Sequence, residues 1–457
     1  MAAQDLRETI ERYDRPGPRY TSYPTAPTWS EGFGEGELRA ALRRSQAREL
    51  SVYVHVPFCE RLCAFCACNR TITQDHAVAG PYLEGLEREA SLIARELPEG
   101  VAAVQLALGG GSPNFLRSSE LERLCRIVDR HFPPRPDAER SAELDPRRTT
   151  TEQLEALVGG GFNRFSFGVQ DLDPRVQRAI HREQTPMQVR RLVDTARKLG
   201  VQSVGFDLIY GLPYQTVARF DRTLEQVVEL GPDRIALYSY AHVTWISKAQ
   251  RPFERKDLPT ASQKIEIFLR ALERLEAAGY RSLGLDHFAL PHDPLARAAD
   301  GGDLHRNFMG YTTRSGVDLV ALGPSGISEL SDAFGQSERD PETWRATVAQ
   351  GRLATCRGWR LGEDDLRRRW LIQRVMCTGE IPTRSYRARF EEPLEERVPD
   401  LRSRLAPLVA DGLLTPETPE GWRVTPTGRL LLRVVAMAFD AYLTPPDPDQ
   451  PRYSRTV

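Results

Sequence analysis

From about residue 50 the chain settles into a rhythm. Short apolar, β-prone runs recur at SVYVHV (51–56), AAVQLAL (102–108), RSAELD (140–145), RFSFGV (164–169), SVGFDLI (203–209) and RIALYSY (234–240). Between them lie segments with apolar residues at helical spacing, such as YLEGLEREASLIAREL (82–97), ELERLCRIVDRHF (120–132) and QVRRLVDTARKLG (188–200). Strands alternating with helices predict right-handed crossovers and a parallel sheet. Six such units predict an α/β fold built on a partial (β/α)6 barrel.

The flanks read differently. The first fifty residues contain YDRPGPRYTSYPTAPTW, where Pro and Gly forbid long regular elements, so a wrapping arm is expected rather than a core element. A long helix is predicted at SQKIEIFLRALERLEAAGY (262–280), then a loop-rich stretch with DHFALP and LHRNFMGYTT, expected to cover one mouth of the barrel. After about residue 358 the pattern turns helical, beginning with EDDLRRRWLIQRVM. PLVADGLLTPETPEGWRVTPTGRLLLRVV then reads as helix, short hairpin with its turn at PEGW, and helix, a winged-helix-like order. The expected division is an arm (1–48), a barrel with covering loops (49–335), a smaller, mainly helical domain (358–445) and a tail (446–457).

Bulk properties narrow the function. At 457 residues the chain exceeds what one core supports. No apolar run approaches the roughly 18 residues that span a bilayer, and the polar start lacks a secretory core, so cytoplasmic residence without membrane insertion is the expectation. With 62 Lys plus Arg against 63 Asp plus Glu, no global field draws nucleic acid, and no basic recognition helix accompanies the winged-helix pattern. A monomer is expected.

Four of the seven cysteines fall between positions 59 and 68, in CERLCAFCAC, directly after the first strand. An odd count argues against a disulfide framework and for metal or redox chemistry. The spacing C-x3-C-x2-C of Cys59, Cys63 and Cys66 gives three thiolates for a cubane of four irons, leaving one iron open to a small molecule. Zinc is the rival, but structural zinc sites usually combine paired cysteines far apart, and no second pair exists here. Cys68 reads as a satellite thiol in preference to a fourth ligand.

These residues resemble the signature of the radical S-adenosylmethionine (SAM) superfamily. A longer set, YVHVPFCERLCAFCACN, GGGSPNFL, FSFGVQ, HREQT, DLIYGLP, YAHV, LDHFA, LHRNFMGYTT, YDRPGPRYTSYPTA and the closing YSRTV, resembles the oxygen-independent coproporphyrinogen III oxidase family over nearly the whole chain. The resemblance implies a radical SAM barrel, one [4Fe–4S] cluster on Cys59, Cys63 and Cys66, and two SAM molecules per chain. It implies that a 5′-deoxyadenosyl radical takes a hydrogen from the β-carbon of a propionate on coproporphyrinogen III. Loss of carbon dioxide and one electron then leaves a vinyl group, twice over, giving protoporphyrinogen IX for haem biosynthesis. A low-potential electron donor and an electron acceptor are implied partners.

Site residues carry over by the same resemblance. Tyr53, Gly110, Glu143 and Ile327 match positions facing the first SAM; Phe65, Gly111, Ser112, Gln170, Arg182, Asp207 and Ala241 match positions facing the second. The glycines are expected to bring backbone close to a ligand and offer it N–H groups. Arg182 suggests a partner for a SAM carboxylate, against the plainer reading of a helix-surface ion pair. Charge matching to four propionates suggests Arg15, Arg19 and Arg306 for the substrate. The chain departs from the family pattern at Met309, where Gln is usual, at Leu290, where a basic residue is common, and at Ala107-Leu108, where His-Trp often stands. Two other functions use related sequences: one-carbon transfer, as in methyltransferases or haem breakdown, and non-catalytic haem carriage. The long arm and the YSRTV end speak against the first, and HRNFMGYT in place of HNxxYW against the second.

Overall fold

Each of the six apolar runs forms a strand in the computed structural model, which describes residues 3–244, 250–443 and 453–456. Residues 1–2 of the expected arm, and 446–452 and 457 of the expected tail, lie outside the described residues. The strands are β1 (Glu49–Val56), β2 (Ala102–Gly110), β3 (Pro134–Leu144), β4 (Arg164–Gln170), β5 (Ser203–Tyr210) and β6 (Arg234–Ser239). Neighbours pair in parallel in chain order, with Tyr53 opposite Ala107, Glu143 opposite Ser166, and Gly168 opposite Asp207. The intervening helices include Ala79–Ala94, Ser118–His131 and Pro186–Lys198. The last starts where Thr185 accepts the Gln188 N–H and Pro186 fills the first turn, a capping box set by sequence.

The stretch after residue 316 holds a strand that periodicity missed. β7 (Asp318–Leu322) lies parallel to β1 on the side away from β2, with Leu50 opposite Asp318. It is fully buried and so lacks any alternation to betray it. Three antiparallel strands extend the sheet beyond it: β8 (Ile327–Glu329), β9 (Ala333–Ser337) and β10 (Thr355–Arg360).

Contacts divide the chain into two compact units, one of Ser30–Pro259 and Gly316–Arg360, the other of Met1–Trp29, Thr260–Ser315 and Leu361–Val457. The first holds β1 to β10. Along its parallel strands, outward residues such as Val52, Leu106, Phe167, Phe206 and Leu237 are fully or nearly fully buried under the helices. Inward residues are polar or small. Ser51 donates to Gln105 at 2.8 Å and Arg164 pairs with Glu139 at 3.0 Å at the start of the strands. Closer to the strand ends, Tyr53, Ala107, Ser166, Asp207 and Tyr238 stay partly accessible and Glu143 is exposed. A closed eight-stranded barrel would fill this space with branched apolar side chains. Here it is open.

In the second unit, the predicted long helix spans Ala261–Ala277, and the stretch read as loop-rich forms two short hairpins, Arg281–Gly284 with His287–Ala289 and His305–Asn307 with Gly310–Thr312. The N-terminal segment also differs from expectation. It contains helices Ala3–Tyr13 and, in the first unit, Glu35–Arg44, and its Pro-rich middle buries Tyr20 and Tyr23 to 2% and 1% exposure. Aromatic side chains anchor an irregular backbone there: Tyr20 donates to Asp440 at 3.0 Å and Tyr23 accepts the Ala441 N–H at 2.9 Å. Pro and Gly excluded regular structure without excluding burial.

The C-terminal pattern holds with two changes. Helices Glu363–Thr378 and Leu401–Ala410 form, and the chain turns back near PEGW. The strand Gly421–Arg423 pairs with Glu380–Pro382, and the closing helix breaks at Leu431 into Pro426–Leu430 and Leu432–Ala436. Among the described residues no helix is long and apolar enough to cross a membrane.

Candidate active site

β1 delivers the chain into the cysteine loop at the carboxyl end of the sheet, where α/β folds carry their chemistry. The loop leaves and returns side by side, Phe58–Cys59 pairing in parallel with Thr71–Ile72. Thr71 N–H donates to Pro57 O at 2.6 Å, Cys66 N–H to Cys63 O at 3.1 Å, and Ala64 N–H to Ile180 O at 3.0 Å. Cys63 is buried, Cys59 and Cys66 are half-buried, and Cys68 is exposed.

Two arginines flank Cys63. Arg182 Nη1 lies 3.4 Å and Arg147 Nη2 3.6 Å from its sulfur, and both guanidiniums pair with Asp145, at 2.9 and 2.7 Å. Burial alone would raise the Asp145 carboxyl, but Arg182 and Arg147 outweigh it and hold it down. A hydrogen bond from the Cys68 thiol holds Cys66 down at about 6, whereas burial and the neighbouring Cys66 and Cys63 push Cys59 up to about 12. Among the described residues no three His, Cys, Asp or Glu side chains converge on one point as a ready ligand set for a single ion. A cubane spreads its thiolates over separate irons, so this donor set, all sulfur and backed by cations, fits an iron–sulfur cluster better than zinc.

The open interior begins beside the loop. Burial first, then Asp207, pushes the Glu143 carboxyl up to about 7, and burial pushes Asp207 up to about 6 against the pull of Ser166 and Arg182. Ser166 donates to Asp207 at 3.2 Å. Glu143 stays accessible at the end of β3, with Asp207 near enough to raise its carboxyl.

His55, missed in the sequence, organises the near wall. Its Nε2 lies 2.9 Å from Asn69 O, so that nitrogen carries the proton, and Nδ1 accepts from the Tyr53 hydroxyl at 3.2 Å. The glycines correct an expectation: their N–H groups are already used. Gly110 N–H serves Glu143, Gly111 N–H donates to Val56 O at 2.7 Å and Ser112 N–H to Phe58 O at 2.9 Å. What glycine provides is proximity. A Cβ on Gly110 would meet the His55 ring at 2.8 Å, and one on Gly111 would meet Phe58 O at 2.7 Å.

The remaining residues fall into groups. Phe65 packs on Val176, Ile180, Ile209, Leu212 and Tyr240. Its carbonyl and that of Ala241 share one donor, Gln250 Nε2, at 2.9 and 3.1 Å, while Gln250 Oε1 accepts the Val243 N–H at 2.6 Å. Gln170 ends β4 with φ +67°, and Gly168 makes room for it beside Arg182. Arg182 lies on no helix surface, against the plainer reading; its Nη1 and Nη2 donate to Asp145 and Gly168 O, and its Nε has no partner. Ile327 is partly exposed on β8, two residues beyond Ser325, whose hydroxyl lies 3.4 Å from His55 Nε2. In the other unit Arg15 is exposed and Arg19 pairs with Asp286.

Asp145, Arg147 and His55 flank strand ends, a position that could have flagged them. Gln250 gives no local signal of its link to the cysteine loop, because its partner there, Phe65, lies 185 residues away in sequence.

The model of the radical SAM superfamily matches residues 53–227, and that of the HemN C-terminal domain matches 361–431. The chain is 41% identical over 454 residues to the oxygen-independent coproporphyrinogen III oxidase of Pseudomonas aeruginosa, covering 98% of each. It is 41% identical over 436 residues to that of Escherichia coli, covering 95% of this chain and 94% of the relative. The chain belongs to the oxygen-independent coproporphyrinogen III oxidase family. The solved E. coli coproporphyrinogen III oxidase, described as a radical SAM enzyme, superposes with a TM-score of 0.90 at 40% identity, over 93% of this chain and 98% of that one. The oxidase family thus accounts for both the barrel and the C-terminal helices: the second matched region takes in Glu363–Thr378, Leu401–Ala410 and the strand Gly421–Arg423.

Proposed function

We propose that this chain catalyses the anaerobic oxidative decarboxylation of two propionate side chains of coproporphyrinogen III to vinyl groups, giving protoporphyrinogen IX in haem biosynthesis. The observation that carries the reading is the juxtaposition of the three-cysteine loop with an open, acid-lined barrel interior in a chain of this oxidase family. Cys59, Cys63 and Cys66 would hold the [4Fe–4S] cluster. When bound, the cluster and SAM supply the 5′-deoxyadenosyl radical that takes a hydrogen from a propionate β-carbon.

The protein's own part is placement and charge. Glu143 and Asp207 offer carboxylates to the cationic groups of SAM, and Tyr53, held by His55, lines the same space. Arg147 and Arg182 place two cations beside the Cys63 sulfur, where they would offset negative charge on the cluster. Gln250 fixes Phe65 against Ala241, the wall assigned to a second SAM. Two SAM molecules per chain, a monomeric state and cytoplasmic residence belong to the same proposal.

Anaerobic reconstitution with iron and sulfide, followed by incubation with SAM, a reductant and coproporphyrinogen III, tests it. We expect about four irons per chain, methionine release, carbon dioxide and divinyl product, all lost when Cys59, Cys63 and Cys66 are changed together to Ala. Retention of cluster and activity in that variant would falsify the assignment, and a methylated porphyrin product would replace it with one-carbon transfer.

A further inference from the structure

The hairpin of His305–Asn307 and Gly310–Thr312 sets Arg306 directly opposite Tyr311. The guanidinium carbon lies 4.9 Å from the centroid of the Tyr311 ring, and Arg306 keeps 2% of its surface. Its Nε and Nη1 are sealed from solvent and have no hydrogen-bond partner. Neighbouring groups are already engaged: Tyr311 Oη donates to Met376 O at 2.9 Å, and Gln373 Nε2 donates to the Arg306 carbonyl at 2.6 Å. The backbone and the stacked ring therefore hold the guanidinium in place while its Nε and Nη1 remain unpaired.

Contact with an aromatic face does not offset the hydration lost by a buried guanidinium. A fold that keeps such a group unpaired is keeping it for an anion. The planar fork matches a carboxylate better than any other common anion except phosphate. Of the three arginines suggested by charge matching, Arg19 is neutralised by Asp286 and Arg15 is exposed. We propose that Arg306, stacked on Tyr311, is a carboxylate-binding residue that receives a propionate of the porphyrinogen substrate. The identity of that carboxylate rests on the decarboxylase reading; the vacant fork does not.

The test is direct titration of the full-length protein with coproporphyrin III, the stable oxidised form of the substrate, and with its tetramethyl ester. Arg306→Met is expected to raise Kd for the acid at least about tenfold and Arg306→Lys to raise it less, with the ester bound equally by wild type and both variants. Because the charge is unpaired, Arg306→Met should melt no lower than wild type before porphyrin is added. An unchanged Kd for the acid overturns the proposal. So does a variant that fails to fold, since that would make Arg306 a structural residue. Wild-type binding of coproporphyrin III, with no vinyl product from coproporphyrinogen III in the reconstituted enzyme, would defeat the decarboxylase reading and leave Arg306 assigned.

Discussion

Glu143 is the residue whose charge state most directly reports the site. Its folded pKa, about 7, lies above the ordinary carboxylate value near 4.3. Between those two values the folded protein holds a proton that the unfolded chain has lost. The stability tied to this group is therefore full below about pH 4.3 and declines as pH rises through about 7. Asp207, raised to about 6, acts with the same sign. In protein without cluster or SAM, melting temperature should fall between pH 5 and 8, and the combined Glu143→Gln, Asp207→Asn variant should flatten that slope. An equal slope in the variant would remove both carboxyls from the account. Neither residue announces itself in the sequence by more than its place near a strand end. Family resemblance marked them, and only the fold shows that they share one space.

At the scale of elements, the parallel strands were legible because each apolar run is short and bounded by helical spacing. β7 was not, since a strand buried on both faces leaves no alternation to read. The cysteine loop was legible from spacing alone, but its tethers were not. Gln250 is the clearest case: one buried amide joins the loop at Phe65 to the segment after β6 at Ala241 and Val243. Gln250→Leu strands two carbonyls and an N–H, a local cost on the order of 3 kcal/mol. We expect the variant to assemble its cluster normally and to show a KM for SAM raised roughly tenfold, in line with a loss of one to two such bonds. Iron content measured beside SAM-cleavage kinetics separates this from general damage: a KM equal to wild type would show that the tether does not shape the SAM wall.

For the whole molecule, the sequence flagged both chain ends without showing that they meet. Gly17 N–H donates to Ser454 O at 3.0 Å, Thr456 N–H donates to Arg15 O at 2.9 Å, and buried Arg433 donates to both Gly17 O and Arg455 O, at 3.2 and 2.7 Å. Such pairing joins positions more than four hundred residues apart, which no local pattern can encode. Deleting residues 453–457 should lower stability by at least about 3 kcal/mol, at roughly 1 kcal/mol for each of the three bonds made by Ser454 O, Arg455 O and Thr456 N–H. It should also hasten tryptic cleavage after Arg19; unchanged proteolysis would mean that the arm holds without its C-terminal partner.

The open barrel interior carries a consequence beyond catalysis. A fold that leaves its centre unfilled gives up packing that its occupants must restore, so its persistence becomes a matter of supply. A ligand present at a hundred times its Kd adds about 2.7 kcal/mol to the stability of the form that binds it. Proteolysis in the cell samples the unfolded fraction, and a shift of that size changes the fraction about a hundredfold. A cell short of methionine or iron would therefore hold less of this protein at the same rate of synthesis, tying its abundance to the materials that its chemistry requires.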